Sequence, residues 1–115
     1  MDKLLVIGAT GLLGKATIKY FKTKKHWVCA GLSRRPHDIR NVEYLKGDLL
    51  DKGSIDRLHS RLQGVTHVLY AALYEMDDLL TGWRHSEQIK TNTLMFQNLT
   101  NALSLYSPKL RHVSI

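Results

Sequence analysis

The 115-residue chain predicts an α/β fold, a doubly wound parallel sheet with helices on both faces. Three observations carry that prediction. Lys3-Leu4-Leu5-Val6-Ile7 runs without alternation into Gly8-Ala9-Thr10-Gly11-Leu12-Leu13-Gly14. An unbroken apolar strand of this kind belongs in the centre of a parallel sheet, covered on both faces. The glycine turn, the helix after it and the next strand make a βαβ unit of about the usual 30 residues. Strand-like and helix-like segments then alternate along the whole chain, which requires right-handed crossovers between parallel strands.

Each element follows in order. After the glycine turn, Leu13, Ala16, Thr17 and Tyr20 form the inward stripe of a helix running to about Thr23. Trp27-Val28-Cys29-Ala30-Gly31-Leu32 is the second strand, and Ser33 to Asn41 a polar loop with Arg34, Arg35, Pro36 and Arg40. Val42 to Lys46 is a short third strand, closed by Gly47-Asp48-Leu49. Ser54 is placed to cap a helix carrying Ile55, Leu58 and Leu62, with Gly64 as its left-handed terminator. Thr66 to Tyr70 is the fourth strand, followed by Ala71-Ala72, the acidic stretch Glu75 to Asp78 and a break at Thr81-Gly82. A long helix spans about Trp83 to Ser104, with Ile89, Phe96, Leu99 and Leu103 inward, and Ser107-Pro108 stops it. Leu110 to Ile115 is a fifth strand. The expected strand order is 3-2-1-4-5, with a ligand crevice at the switch point between strands 1 and 4. This is a Rossmann-type arrangement in one domain, 1–115.

Composition narrows the function. The 43% hydrophobic and 23% charged content is that of an ordinary globular protein. No apolar run approaches the roughly 20 residues of a membrane span, and Met1-Asp2-Lys3 leads straight into a strand, so no membrane partner is expected. The single Cys29 forms no internal disulfide and suits a reducing cytoplasm. The net charge of +7 raises the question of nucleic acid. Lys15, Lys19 and Lys22 fall on one helical face, however, and no basic stripe is interleaved with aromatics, so a solvated face is the reading. Six histidines are scattered without metal-ligand spacing. His112 and Ser114 share a strand face but lack an acid partner or a nucleophile elbow.

The glycines carry the strongest chemical signal. Gly8 and Gly11 let the backbone turn and approach phosphate oxygens, and Gly14 lets the helix pack against its strand. A dinucleotide pyrophosphate would then sit on the helix N-terminus. Thr10 suits a helix cap, a phosphate contact, or both. An NAD site expects Asp or Glu roughly 20 residues beyond the motif, accepting from the ribose 2′-hydroxyl. This chain has Ser33-Arg34-Arg35 there, and no carboxylate before Asp38. A guanidinium pairs with a 2′-phosphate through a planar fork, so NADP(H) is preferred, unless the two arginines are merely exposed loop residues. Asp48 fits an acceptor for the adenine amino group, with Leu49 packing on the ring; a turn-forming Asp after Gly47 is the other reading. Ala71 and Ala72 keep the crevice floor small.

These residues carry a resemblance. The glycine motif, Ser33-Arg34-Arg35-Pro36, Gly47-Asp48-Leu49 and Thr66 through Ala72 resemble the extended and atypical short-chain dehydrogenase/reductases. Gly82-Trp83-Arg84, Asn92, Met95, Asn98 and Leu110-Arg111-His112-Val113 resemble the progesterone 5β-reductase and iridoid synthase-like group within the epimerase/dehydratase superfamily. The resemblance implies that Gly8, Thr10, Gly11, Leu12, Leu13, Gly14, Arg34, Arg35, Asp48, Leu49, Ala71 and Ala72 contact NADP. It also implies NADPH-dependent reduction of an enone or enal, in which a Tyr with a nearby Lys stabilises the enolate oxygen. No Lys or Tyr of this chain matches those positions, so no catalytic residue is assigned. The expectation is an N-terminal portion that binds cofactor and meets a small apolar carbonyl substrate only when completed by more chain. An open edge on strand 5 would favour self-association. Two rival readings are a non-catalytic NADP-sensing regulator and a portion of a sugar-nucleotide epimerase or dehydratase.

Overall fold

The computed structural model describes residues 1–73 and 86–115. Five strands, β1 (Asp2–Ile7), β2 (Trp27–Ser33), β3 (Glu43–Lys46), β4 (His67–Tyr70) and β5 (His112–Ser114), form one sheet. Every pairing is parallel, and the order is β3-β2-β1-β4-β5, as the crossover argument requires. The helices are α1 (Leu12–Phe21), α2 (Lys52–Asp56), α3 (His59–Leu62) and α4 (Ser86–Tyr106). The acidic stretch Glu75 to Asp78, the break at Thr81-Gly82 and the expected helix start at Trp83 lie outside the described residues.

β1 is central and has cores on both sides, which is why its apolar run does not alternate. Leu5 and Ile7 face one core with Leu32, Leu45, Ile55, Leu62, Val68, Leu99 and Leu103, covered by α2, α3 and α4. Leu4 and Val6 face the other with Ala9, Ile18, Cys29 and Ile39, covered by α1. Each fully buried leucine or isoleucine contributes roughly 1.5–3 kcal/mol. α4 is fastened to the first core by polar links: Ser107 Oγ donates to the Leu62 carbonyl at 2.8 Å and Tyr106 Oη to Asp56 at 3.2 Å.

Five local expectations are corrected. The inward face of α1 is Gly14 and Ile18, with Phe21 half-buried; Leu13 and Tyr20 are 61% and 58% exposed, and Ala16 is exposed too. A glycine in the buried stripe defeats an apolar-period count, because the close approach is made by the missing side chain. Ser54 does not cap its helix. Asp51 does, accepting from Ser54 N, while the Ser54 hydroxyl is spent on the Asp48 and Asp51 carbonyls. The segment is broken at Arg57–Leu58 into α2 and α3, and Gly64 is not left-handed, since Gly8 alone among the described glycines has a positive φ. In α4, Leu99 and Leu103 are buried and Phe96 half-buried as expected, but Ile89 is 56% exposed and Gln88 takes the buried position.

Candidate functional site

The glycine turn is shaped by its backbone. Gly8 has φ +86°, a left-handed conformation that other residues adopt at a cost of about 1–2 kcal/mol. A Cβ there would lie 2.8 Å from the Ala71 carbonyl oxygen. A Cβ on Gly14 would lie 2.2 Å from the Gly8 carbonyl oxygen, so α1 can cross the turn only where that residue has no side chain. Gly8 N and Ala9 N both donate to the Leu32 carbonyl, at 3.0 and 3.3 Å, which ties the turn to the end of β2. Ala71 N donates to the Ile7 carbonyl at 2.9 Å, setting β4's exit beside it.

Gly11 differs from its two neighbours. Its φ is −75°, and a Cβ would meet only the Gly8 carbonyl, at 3.4 Å. The protein itself has room for a side chain there. Gly11 is the N-cap of α1, without a side-chain hydrogen bond, so Thr10 does not cap the helix. No acidic residue lies in the first turn. The N–H groups of that turn therefore keep their capacity for an anion.

A cavity of about 310 Å³ opens here, outside the carboxyl ends of the strands. Gly8, Thr10, Gly11, Ser33, Arg34, Asp48, Leu49, Ala71 and Ala72 all line it, brought together from four loops. The other sequence candidates stand apart. Gly14 is packing beneath the turn, Leu12 and Leu13 point to solvent at 93% and 61% exposure, and Arg35 is exposed outside the cavity. The lining also includes Ile7, Leu32, Gly47, Leu50, Leu73 and Met95, which were not among the candidates. Ile7 and Leu32 are the last apolar residues of their strands, and Met95 lies one helical turn before buried Leu99. All three were readable, from strand ends and helical period.

The two loops past β2 and β3 are tied down by the protein's own contacts. Past β2, Ser33 Oγ donates to the Arg35 carbonyl, and Tyr44 Oη donates to the Ser33 carbonyl at 3.2 Å. Ile39 is buried in the α1-side core, and Lys15 Nζ lies 3.2 Å from Asp38. The hydrogen bond from Lys15 holds the Asp38 carboxyl below its ordinary value. The arginine loop is thus anchored on α1, while the Arg34 and Arg35 side chains make no hydrogen bond or ion pair among the described residues. Past β3, Asp48 Oδ1 accepts from Leu50 N at 2.9 Å, so Asp48 does build the turn. Its other carboxylate oxygen has no partner among the described residues and stays open to a ligand. Asn98 of α4 donates to the Leu49 carbonyl at 2.7 Å and fixes that loop from across the core. On β5, His112 Nε2 and Ser114 Oγ lie 2.9 Å apart, on one face as strand alternation predicts, away from this crevice.

A parallel sheet with a glycine-turned crevice at its switch point defines a dinucleotide-fold domain. The chain belongs to the NAD dependent epimerase/dehydratase family, whose model matches residues 4–114. It is 29% identical over 119 aligned positions to an (S)-8-oxocitronellyl enol synthase from Catharanthus roseus, covering 96% of this chain and 28% of that protein. It is equally 29% identical to a 3-oxo-Delta(4,5)-steroid 5-beta-reductase from Arabidopsis thaliana, covering 96% of this chain and 29% of that protein. The chain therefore spans under a third of these curated relatives. Among solved structures, the fold matches UDP-N-acetylglucosamine 4-epimerase from Bacillus cereus with a TM-score of 0.70 and 20% identity, over 97% of this chain and 35% of that one. A short chain dehydrogenase from Burkholderia cenocepacia in complex with NADP matches with a TM-score of 0.72 and 16% identity, over 91% of this chain and 48% of that one. Among the described residues, no helix is long and apolar enough to cross a membrane.

Proposed function

We propose that these 115 residues are the NADP(H)-holding part of a short-chain reductase acting on an activated carbon–carbon double bond, an enone or enal. The pyrophosphate lies over Gly11 on the N-terminus of α1, where the helix keeps open N–H groups and the turn leaves room. The adenine lies between the arginine loop and Asp48-Leu49, with the open Asp48 oxygen accepting from its amino group. Gly8, Thr10, Ala71 and Ala72 close the crevice toward the nicotinamide end. When bound, the cofactor supplies the hydride; this chain's residues bind and orient it.

The observation that carries the preference for NADP(H) is Arg34 on the crevice wall, without a side-chain partner among the described residues, at the place where a carboxylate would read an unphosphorylated ribose. Asp38, the nearest downstream carboxylate, is bound to Lys15 instead. The relatives named as an enol synthase and a steroid 5-beta-reductase support the reductase reading. No Lys or Tyr here matches the pair that would stabilise the enolate, so none of this chain's residues is given that role.

Fluorescence titration of the purified chain with NADPH and NADH tests the cofactor reading. NADPH should bind at least tenfold more tightly. Equal affinities would overturn the assignment, and turnover of an enone by these 115 residues alone would overturn the division of labour.

A further inference from the structure

A second cavity, of about 460 Å³, adjoins the dinucleotide crevice between the ends of β2 and β3 and the start of α2. It shares Arg34, Gly47 and Asp48 with the crevice and adds Lys46, Asp51, Ser54, Arg57 and Leu58. Of its two carboxylates, Asp51 is engaged on both oxygens and Asp48 on one. Asp48 Oδ1 accepts from Leu50 N, while Asp51 caps α2 through Oδ1 and has Oδ2 3.9 Å from Arg57 Nη2. Arg34 and Lys46 are left as cations with no side-chain partner among the described residues.

Lys46 is held in place by the sheet. It is the last residue of β3, in register with Ser33, and Gly47 N donates to the Ser33 carbonyl at 3.2 Å. Arg34 follows Ser33 directly. Arg34 and Lys46, at the ends of neighbouring strands, give this cavity an excess of positive charge over Asp48 once Asp51 is set against Arg57, and that suits a compact anion. An esterified phosphate there carries about −1.5 to −2 charge near neutral pH, more than one guanidinium neutralises.

We propose that Lys46 is a specificity-determining residue that shares the 2′-phosphate of NADP(H) with Arg34. This rests on the NADP(H) reading and adds a residue to it that lies outside the arginine loop. Arg34 supplies the planar fork and Lys46 a point charge from the β3 side.

The test is calorimetric titration of the 115-residue chain and its Lys46→Ala, Lys46→Gln and Lys46→Arg variants. The probes are NADPH, NADH, adenosine 2′,5′-bisphosphate and 5′-AMP. Lys46→Ala and Lys46→Gln should each weaken NADPH and the bisphosphate about tenfold, as expected for one charge-assisted hydrogen bond. NADH and 5′-AMP should bind as they do to the unaltered chain, and Lys46→Arg should restore most of the loss. If the unaltered chain prefers NADPH and the Ala and Gln variants keep that preference in full, the Lys46 assignment falls and the arginine reading stands. If they weaken all four probes alike, Lys46 supports the loop and does not read the phosphate. If the unaltered chain binds NADPH and NADH equally, both assignments fall together.

Discussion

At the amino ends of the strands, charges are paired and rings are stacked. Lys3 Nζ lies 3.1 Å from Glu43 Oε1, Arg61 Nε donates to Glu43 Oε2 at 2.7 Å, and Asp2 lies 3.7 Å from Arg111. Trp27 packs edge-on to His67 at 4.8 Å between centroids, and Thr66 Oγ1 donates to the Lys3 carbonyl. At the carboxyl ends, Arg34, Arg35 and Lys46 have no side-chain partners among the described residues, and two glycines stand where side chains cannot fit. Both ends belong to the same strands with the same register. Their difference separates interactions that close the fold on itself from groups left open for a ligand. A cation without a side-chain partner adds no ion-pair stabilisation to the fold and keeps its charge available to an anion from solution.

The largest effect expected is at the carboxyl end, where packing and binding meet. Gly14→Ala puts a methyl 2.2 Å from the Gly8 carbonyl oxygen, backbone against backbone. Relief requires α1 to lift from the sheet, exposing Ile18, and the cost should exceed about 4 kcal/mol. For a domain with roughly 5–15 kcal/mol in total, thermal melting should show a severely lowered midpoint or no folded state. A midpoint matching the unaltered chain would show that the turn is looser than its geometry says.

Next in size is Arg34→Ala/Arg35→Ala. Arg34 alone lines the crevice, and one charge-assisted hydrogen bond contributes roughly 1.5–3 kcal/mol, so NADPH affinity should fall by about 10- to 100-fold in a fluorescence titration. Neither side chain has a partner among the described residues, so the melting midpoint should hold. Unchanged NADPH affinity would place both arginines among ordinary loop residues.

Gly11→Ala separates the two roles glycine plays within one motif. Its backbone angle is open to any residue and the Cβ meets only ordinary contact, so stability should change by less than about 1 kcal/mol. The methyl would stand where the pyrophosphate approaches, and dinucleotide affinity should fall at least tenfold. Retained affinity would move the pyrophosphate off Gly11.

These contrasts mark what was legible in the sequence. Strand order was legible because an unalternating β1 must be central, and nine crevice residues followed because loops at strand ends must meet there. The packing role of Gly14 was legible too, whereas Gly8 and Gly11 read alike, and the fold separates them: Gly8 is required by the protein's own backbone and Gly11 is not. The inward face of α1 was misread, since a hydrophobicity pattern has no symbol for a contact made by an absent side chain. Lys46 was passed over because its register beside Ser33 is a property of strand pairing, not of sequence distance.

The smallest effect belongs to the paired end. Burial alone would raise the Glu43 carboxyl, but hydrogen bonds from Arg61 and Lys3, with the charges of both, outweigh it and hold the group below its ordinary value. A carboxyl depressed in the folded state binds fewer protons there than in the unfolded chain, so its stabilisation is complete above the ordinary glutamate value of about 4.3. It drains away as pH falls through the lower folded value. Glu43→Gln should therefore cost about 1 kcal/mol at neutral pH, because Arg61 is half exposed and water screens its share. The cost should shrink as pH drops below about 4, where the unaltered chain loses the same charge. Paired melts of the two chains from pH 7 to pH 3 measure this directly. Parallel curves across that range would mean that Lys3 and Arg61 are no better placed around Glu43 than water. NADPH affinity should stay constant in the variant at neutral pH, because Glu43 sits at the opposite end of β3 from Lys46.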